Sequence, residues 1–191
     1  EERYSLCIGG LLQGDYRYYD YDADVNPGKN KFDLRKVRFR LSGTIHKYFD
    51  YKFEYEFQGI GSRNLLDAYV NVRPFSLLHF RAGQFKEPFG LELSSSDTSL
   101  FFAERSMGYY MTPQRDVGVM GYGSVLEGRI LYAAGIFNGD GLDDATGGQA
   151  DSPEFAARVS FLPLKGWGYP LFEDVQLGGS VSYASIDRNN V

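Results

Sequence analysis

Polar and apolar residues alternate along most of this chain in short runs with the period of a β-strand. The alternation is sharpest between Leu34 and His46, and from Lys36 onward polar residues occupy the even positions and apolar residues the odd ones. The polar set is Lys36, Arg38, Arg40, Ser42, Thr44 and His46, and the apolar set is Val37, Phe39, Leu41, Gly43 and Ile45. This strand therefore has one basic face and one apolar face.

Runs of the same kind predict about nine strands, joined by reversals that are alternately short and long. Short reversals fall near Phe49, Pro74 and Ser124, and long connections run over 20–31, 91–114 and 139–153. Together with a long first strand from Ser5 to Tyr21, this layout is typical of an antiparallel transmembrane β-barrel. A soluble β-sandwich is the alternative, because lipid-facing and core-facing strands share one pattern. The consistently basic face favours the barrel.

Composition supports an all-β fold and sets limits on function. The 191 residues include 15 Tyr, 15 Phe and 23 Gly, and no apolar run is long enough for a transmembrane helix. The single cysteine, Cys7, excludes an internal disulfide framework, and the net charge of -5 disfavours nucleic-acid binding. An odd number of strands does not close in the usual bacterial way. We therefore expect residues 1–191 to form part of a single, larger barrel domain.

The alternation stops after a strand that ends at Phe89, in a segment rich in aromatic and charged residues. We predict that residues 90–115 form a constriction loop folded into the barrel. Its predicted site residues are Lys86 and Arg105 at the narrowest point, Ser94, Ser95 and Ser96 as neutral hydrogen-bond donors, and Arg115 as a lumen charge or as the partner of a loop acid. Alternatively, Lys86, Glu87, Glu104 and Arg105 pair among themselves and pin the loop to the wall.

The basic face suggests a chemistry for the barrel interior. Lys36, Arg38 and Arg40, joined by Arg73, Arg81 and Arg158 from other strands, are predicted to line the lumen. Such side chains select anions, because an oxyanion that loses part of its hydration gains guanidinium and ammonium donors. The alternative is a solvated face without selectivity, on which Glu54, Glu56 and Asp67 balance the cations.

Enzymatic chemistry finds little support. His46 and His79 lack a neighbouring nucleophile motif or metal-ligand spacing. The run from Asn138 to Asp144 differs from a calcium loop, because Leu142 stands at a ligand position and no Glu follows at the right distance. We expect no catalytic residues, no metal and no cofactor.

Four motifs occur in order: Leu66-Asp67-Ala68-Tyr69-Val70, Arg81-Ala82-Gly83-Gln84-Phe85-Lys86-Glu87-Pro88-Phe89-Gly90-Leu91-Glu92, Phe102-Ala103-Glu104-Arg105-Ser106 and Gln114-Arg115-Asp116-Val117-Gly118-Val119. Together they resemble the phosphate-selective porin O and P family. The resemblance implies a homotrimer of barrels of about 16 strands with an inward-folded third loop, in the outer membrane of a Gram-negative bacterium. This chain would cover roughly the first half of such a barrel.

The function expected from pattern and resemblance is passive diffusion of small solutes across the outer membrane, with selectivity for anions such as phosphate. Outer-membrane lipids would surround the barrel. One alternative is a barrel that acts as a scaffold or sheath around a partner protein, for example an electron-transfer cytochrome. The other is a secreted β-sandwich that binds carbohydrate through exposed aromatic side chains.

Overall fold

A single antiparallel sheet accounts for most of the structure, a computed structural model that describes residues 4–18, 30–58, 64–95, 105–139, 141, 153–168 and 172–185. Its strands are β1 (Ser5–Arg17), β2 (Lys31–Ile45), β3 (Phe49–Glu56), β4 (Leu65–Val72), β5 (His79–Lys86), β6 (Arg115–Val125), β7 (Ile130–Phe137), β8 (Glu154–Phe161) and β9 (Leu177–Tyr183). Between β5 and β6 lie a one-turn helix, α1 (Leu91–Ser94), and a 3₁₀ helix (Met107–Met111), which the pattern did not predict. Among the described residues, no helix has the length and apolar character needed to cross a membrane. The predicted all-β class is confirmed.

Each strand pairs with the next one along the chain, in the order β1 to β9. Short connections over 46–48, 73–78 and 126–129 lie at one end of the sheet. The first of these precedes the predicted reversal at Phe49, which instead begins β3. His46 has a φ of 60°, and Leu126 and Glu127 have φ of 52° and 56°. These positive angles match the right-handed twist of the flanking strands in tight hairpins.

A β-bulge interrupts the pairing of the first two strands. Gln13 pairs with Lys36, but its neighbour Gly14 pairs with Leu34, so Arg35 is an extra residue in β2. The bulge changes the phase of the alternation and puts Asp33, Arg35 and Lys36 on one face. The sequence shows this as two adjacent basic residues within an otherwise alternating strand.

The sheet buries polar side chains and exposes apolar ones. The face that carries Glu54, Asn71 and Ser160, here called the inner face, leaves these residues at most 8 % exposed. On the opposite, outer face, large apolar side chains are exposed: Ile8, Leu12, Phe39, Phe53, Val70, Phe80, Val119, Ile136, Val159 and Val181. A β-sandwich in water would bury the apolar face instead. This arrangement is the one expected of strands that meet lipid on one side and an aqueous lumen on the other.

Part of the inner face carries an apolar cluster. Phe85, Met120, Phe137 and Ala156, from β5 to β8, pack together and are at most 7 % exposed. The Phe85 and Phe137 rings meet edge to face with centroids 5.5 Å apart. The inner face therefore has a charged region on β2 to β4 and a more apolar region on β5 to β8, and the segment that contains α1 lies against the second region.

Candidate functional site

Salt bridges link the basic residues of β2 to acids on the neighbouring strand. Arg38 Nε lies 2.6 Å from Glu56 Oε2, and Arg40 Nη2 lies 3.2 Å from Glu54 Oε1. The register explains these pairs, because Arg38 stands directly opposite Glu56 and Arg40 opposite Glu54. Lys36 lies half-buried on the same face. The acids named in the alternative prediction therefore do pair with this part of the basic face.

The network continues across two more strands. Lys52 Nζ lies 2.7 Å from Glu54 Oε2 and 2.5 Å from Asp67 Oδ2. Asp67 in turn accepts a hydrogen bond from Arg115 Nε at 2.9 Å. Arg115 was predicted to be a lumen charge or the partner of a loop acid. The carboxylate that it binds lies on β4, outside the loop.

Smaller ion pairs lie at both ends of the inner face. Arg73 Nη2 lies 2.8 Å from Asp50 Oδ1 near the short connections. Arg35 Nη1 lies 3.3 Å from Asp15 Oδ2 near the other end. Arg35 was missed from the sequence, because simple alternation puts it on the outer face and only the bulge brings it inward. Two adjacent basic residues in β2 were the available signal.

Arg81 differs from these cations in its surroundings. Its guanidinium stacks on the rings of Tyr69, Tyr122 and Phe85, with its central carbon 4.2, 5.1 and 5.3 Å from their centroids. Its Nε donates a hydrogen bond of 2.8 Å to Asn71 Oδ1. No carboxylate oxygen of the described residues lies within 4.0 Å of it. The aromatic rings thus orient the guanidinium without cancelling its charge.

Two cations predicted for the constriction bind backbone carbonyls around α1. Lys86 Nζ donates to Leu93 O at 2.7 Å and to Ser95 O at 3.1 Å. Arg105 donates to Glu92 O and, at 3.2 Å, to Ser95 O. These carbonyls face the end of the helical turn, where positive charge is favourable. Lys86 and Arg105 thus both bind backbone carbonyl groups of this segment, and the Arg105 guanidinium also lies 4.5 Å from the centroid of the Tyr109 ring.

The serines predicted as donors serve the same segment. Ser94 Oγ donates to Gly90 O at 2.9 Å, and Ser95 Oγ donates to Leu91 O at 3.0 Å. Ser96 lies outside the described residues. Both described hydroxyls therefore stabilise the helical turn locally.

Glu92 links α1 to Ser106, which lies further along the same segment. Its carboxylate accepts hydrogen bonds from Ser106 N at 2.7 Å and from Ser106 Oγ at 2.5 Å. These bonds hold the pKa of Glu92 below its usual value, because they favour the charged carboxylate. No sequence pattern pointed to this pair, because Glu92 and Ser106 stand 14 positions apart in an irregular stretch.

A connection from β8 fixes the position of α1. Arg158 Nη1 donates to Gly90 O and, at 2.5 Å, to Ser94 Oγ. Gly90 N donates in turn to Ser180 Oγ on β9 at 3.3 Å. Because α1 follows β5 directly, these contacts carry the chain across β6 and β7 over the inner face. Arg158 was predicted as a pore-lining cation, and the structure shows it bound to the segment that contains α1.

Two cavities adjoin this segment. The charged cavity, of about 280 Å³, lies towards β2 to β4 and is lined by Arg38, Arg40, Lys52, Glu54, Asp67, Tyr69, Arg81, Phe85, Lys86, Ser94 and Arg115. The apolar cavity, of about 510 Å³, lies over β5 to β8, and its lining includes Arg81, Leu91, Met120, Tyr122, Leu131 and Arg158. Arg81, Lys86 and Ser94 line both cavities and mark where they meet.

A buried acid stands at the start of the segment, just beyond the end of β5. Glu87 is 4 % exposed, and its Oε2 has no hydrogen-bond partner among the described residues. Burial, together with the neighbouring carboxyl groups of Glu154 and Asp116, raises the pKa of Glu87 to about 8. In the alternative prediction, Glu87 pairs with Lys86 or Arg105. No salt bridge of Glu87 is present among the described residues, and a pKa of about 8 favours the neutral carboxyl at pH 7.

Comparison with known proteins agrees with the motifs in the sequence. The family model of phosphate-selective porin O and P matches residues 7–190 of this 191-residue chain. A search of curated proteins found no match. The family match includes all nine strands apart from the first two residues of β1, and it also includes the segment with α1.

Proposed function

The chain belongs to the phosphate-selective porin O and P family, and from this premise we propose that it forms a passive channel for small anions such as phosphate. The channel would lie in the outer membrane of a Gram-negative bacterium, as a homotrimer surrounded by outer-membrane lipids. Apolar side chains on the outer face suit contact with lipid. Passage through such a channel requires no cofactor and no covalent step.

The lining of the charged cavity is the observation that supports anion selectivity most directly. Its side chains comprise six basic residues, Arg38, Arg40, Lys52, Arg81, Lys86 and Arg115, and two acidic residues, Glu54 and Asp67. The formal excess is four positive charges. A narrow, partly desolvated passage of this sign attracts anions and repels cations.

The basic residues contribute in two ways. Those on β2 and β3 share their donors with carboxylates, so that each pair adds little to the field. Arg81 stacks on aromatic rings, and Arg158 binds a carbonyl and hydroxyl groups, so both retain their full charge. We therefore assign anion contact chiefly to Arg81 and Arg158, with Lys86 and Arg105 adding positive charge beside the passage.

The segment around α1 is proposed as the constriction. It lies on the inner face between the two cavities, and Arg158 and Ser180 hold it from strands distant from its own. A loop fixed in this way narrows the lumen at one level and leaves Arg81 at the narrow point.

Planar-bilayer recording of the purified protein tests the proposal. Under a potassium chloride gradient, the zero-current potential is expected to have the sign of an anion-preferring channel. Arg38→Glu combined with Arg40→Glu should shift the zero-current potential towards the sign of a cation-preferring channel. Arg129→Glu combined with Lys165→Glu makes the same charge change outside both cavities, and should shift it much less.

Two results would contradict the proposal. Equal shifts in the two double variants would mean that the charged cavity does not govern permeation. A protein that inserts into the bilayer without conducting would favour the alternative of a barrel filled by a partner.

A further inference from the structure

The lining of the apolar cavity differs in character from that of the charged cavity. Leu91, Met120 and Leu131 contribute aliphatic surface, and Tyr122 contributes an aromatic ring. The volume of about 510 Å³ falls within the range of pockets that hold small organic ligands, about 300–1,000 Å³. A strongly hydrated inorganic ion gains nothing from apolar walls, so the cavity suits a ligand with apolar surface of its own.

Three cations line this cavity, Arg81, Lys86 and Arg158, and the two arginines stand at its opposite borders. Arg81 lies on β5 and Arg158 on β8, and the strands between them, β6 and β7, supply Met120 and Leu131. No salt bridge of either arginine to a described carboxylate is present. A ligand whose apolar body lies over β6 and β7 can therefore place an acidic group against either guanidinium.

We propose that the apolar cavity binds organic carboxylates whose single charge is attached to an apolar body about the size of a benzene ring. This inference rests on the proposed function, because the ligand would enter through the same lumen. Arg81, which lines both cavities, would pass the carboxylate from the charged cavity to the apolar one. The channel would then carry small organic acids besides inorganic anions.

Single-channel recording of the purified protein with three probes tests this. Benzoate has both ring and charge, acetate has the charge without the ring, and benzyl alcohol has the ring without the charge. Benzoate is expected to interrupt the chloride current at a concentration at least about tenfold below that of acetate, since burying a ring-sized apolar group favours binding by that factor or more. Benzyl alcohol should leave the current unchanged.

A matched pair of variants locates the effect. Leu131 is 38 % exposed, so Leu131→Asn removes apolar lining without emptying a packed core. This variant should lose the tenfold advantage of benzoate over acetate, while its zero-current potential under a salt gradient stays that of the parent protein. Leu126→Asn makes the same change in an exposed turn outside the cavity. Benzoate should keep its tenfold advantage over acetate in blocking this variant, as in the parent protein.

The outcomes separate this inference from the proposed function. An anion-selective channel that benzoate and acetate block equally overturns the inference alone. The same holds if Leu131→Asn keeps the full advantage of benzoate. A channel without anion preference, or one that does not conduct, overturns the proposed function and the inference together.

Discussion

Arg115 Nε lies 2.9 Å from Asp67 Oδ1 and so joins β6 to β4 across the intervening β5. Both residues are at most 9 % exposed. The other oxygen of Asp67 lies 2.5 Å from Lys52 Nζ on β3. One buried carboxylate therefore ties three strands together beside the start of β6, where the chain returns from the α1 segment.

Arg115→Gln is expected to destabilise the protein. The substitution leaves Asp67 buried with Lys52 as its remaining cation, which costs roughly 1–3 kcal/mol of unfolding free energy. Denaturant unfolding of the detergent-solubilised protein measures the loss. Arg73→Gln removes a more exposed pair with Asp50 and should cost less than about 1 kcal/mol. Equal costs for the two variants would contradict a special role for Asp67.

Arg158→Gln is expected to loosen the constriction. The guanidinium donates to Gly90 O and Ser94 Oγ, and hydrogen bonds from a charged donor contribute about 1.5–3 kcal/mol each. Without them, the detached form of the segment should become at least about tenfold more populated, with larger and noisier single-channel currents. Ser180→Ala removes one neutral bond to Gly90 N and should change the current little. An unchanged current in Arg158→Gln would show that Arg158 does not hold the constriction in place.

Glu54→Gln is expected to strengthen the preference for anions. It removes one of the two acids that line the charged cavity and leaves Arg40 and Lys52 in place. A unit charge acts on an ion about 8 Å away with about 2 kcal/mol at an effective dielectric constant of about 20. The zero-current potential should move opposite to that of the Arg38→Glu and Arg40→Glu variant. Glu56→Gln, outside the cavity lining, is the control and should shift it less.

Glu87 predicts a pH dependence of stability. Its pKa is about 8 in the folded protein against an ordinary value of 4.5, so the folded state binds the extra proton between these values. The stability that the neutral Glu87 carboxyl contributes to the folded protein is fully present below pH 4.5 and is lost as pH rises towards 8. In Glu87→Gln, this decline of the thermal unfolding midpoint should be reduced, and the variant should be the more stable protein above pH 8. A decline as steep as that of the parent would exclude Glu87 as its source.

Alternation along the chain was enough to predict the strands and the faces of most side chains. Glu54 and Phe53 lie on opposite faces, as period 2 requires, and hairpins between successive strands give a sheet in chain order. Alternation did not predict which face the residues of β2 before Lys36 occupy, because the bulge at Arg35 depends on pairing with β1. Local pattern carries no information on such a shift unless the partner strand is known.

The sequence by itself determined the nine strands, the basic character of β2 and the position of an irregular segment after β5. The partners of each charge were decided only by tertiary structure. Arg38 meets Glu56 through strand register, whereas Arg158 reaches Ser94 only because the segment crosses two strands. The charge of a side chain can be read from the sequence. Whether that side chain contacts a carboxylate, a carbonyl or an aromatic ring depends on which distant residues the fold brings within a few ångströms of it.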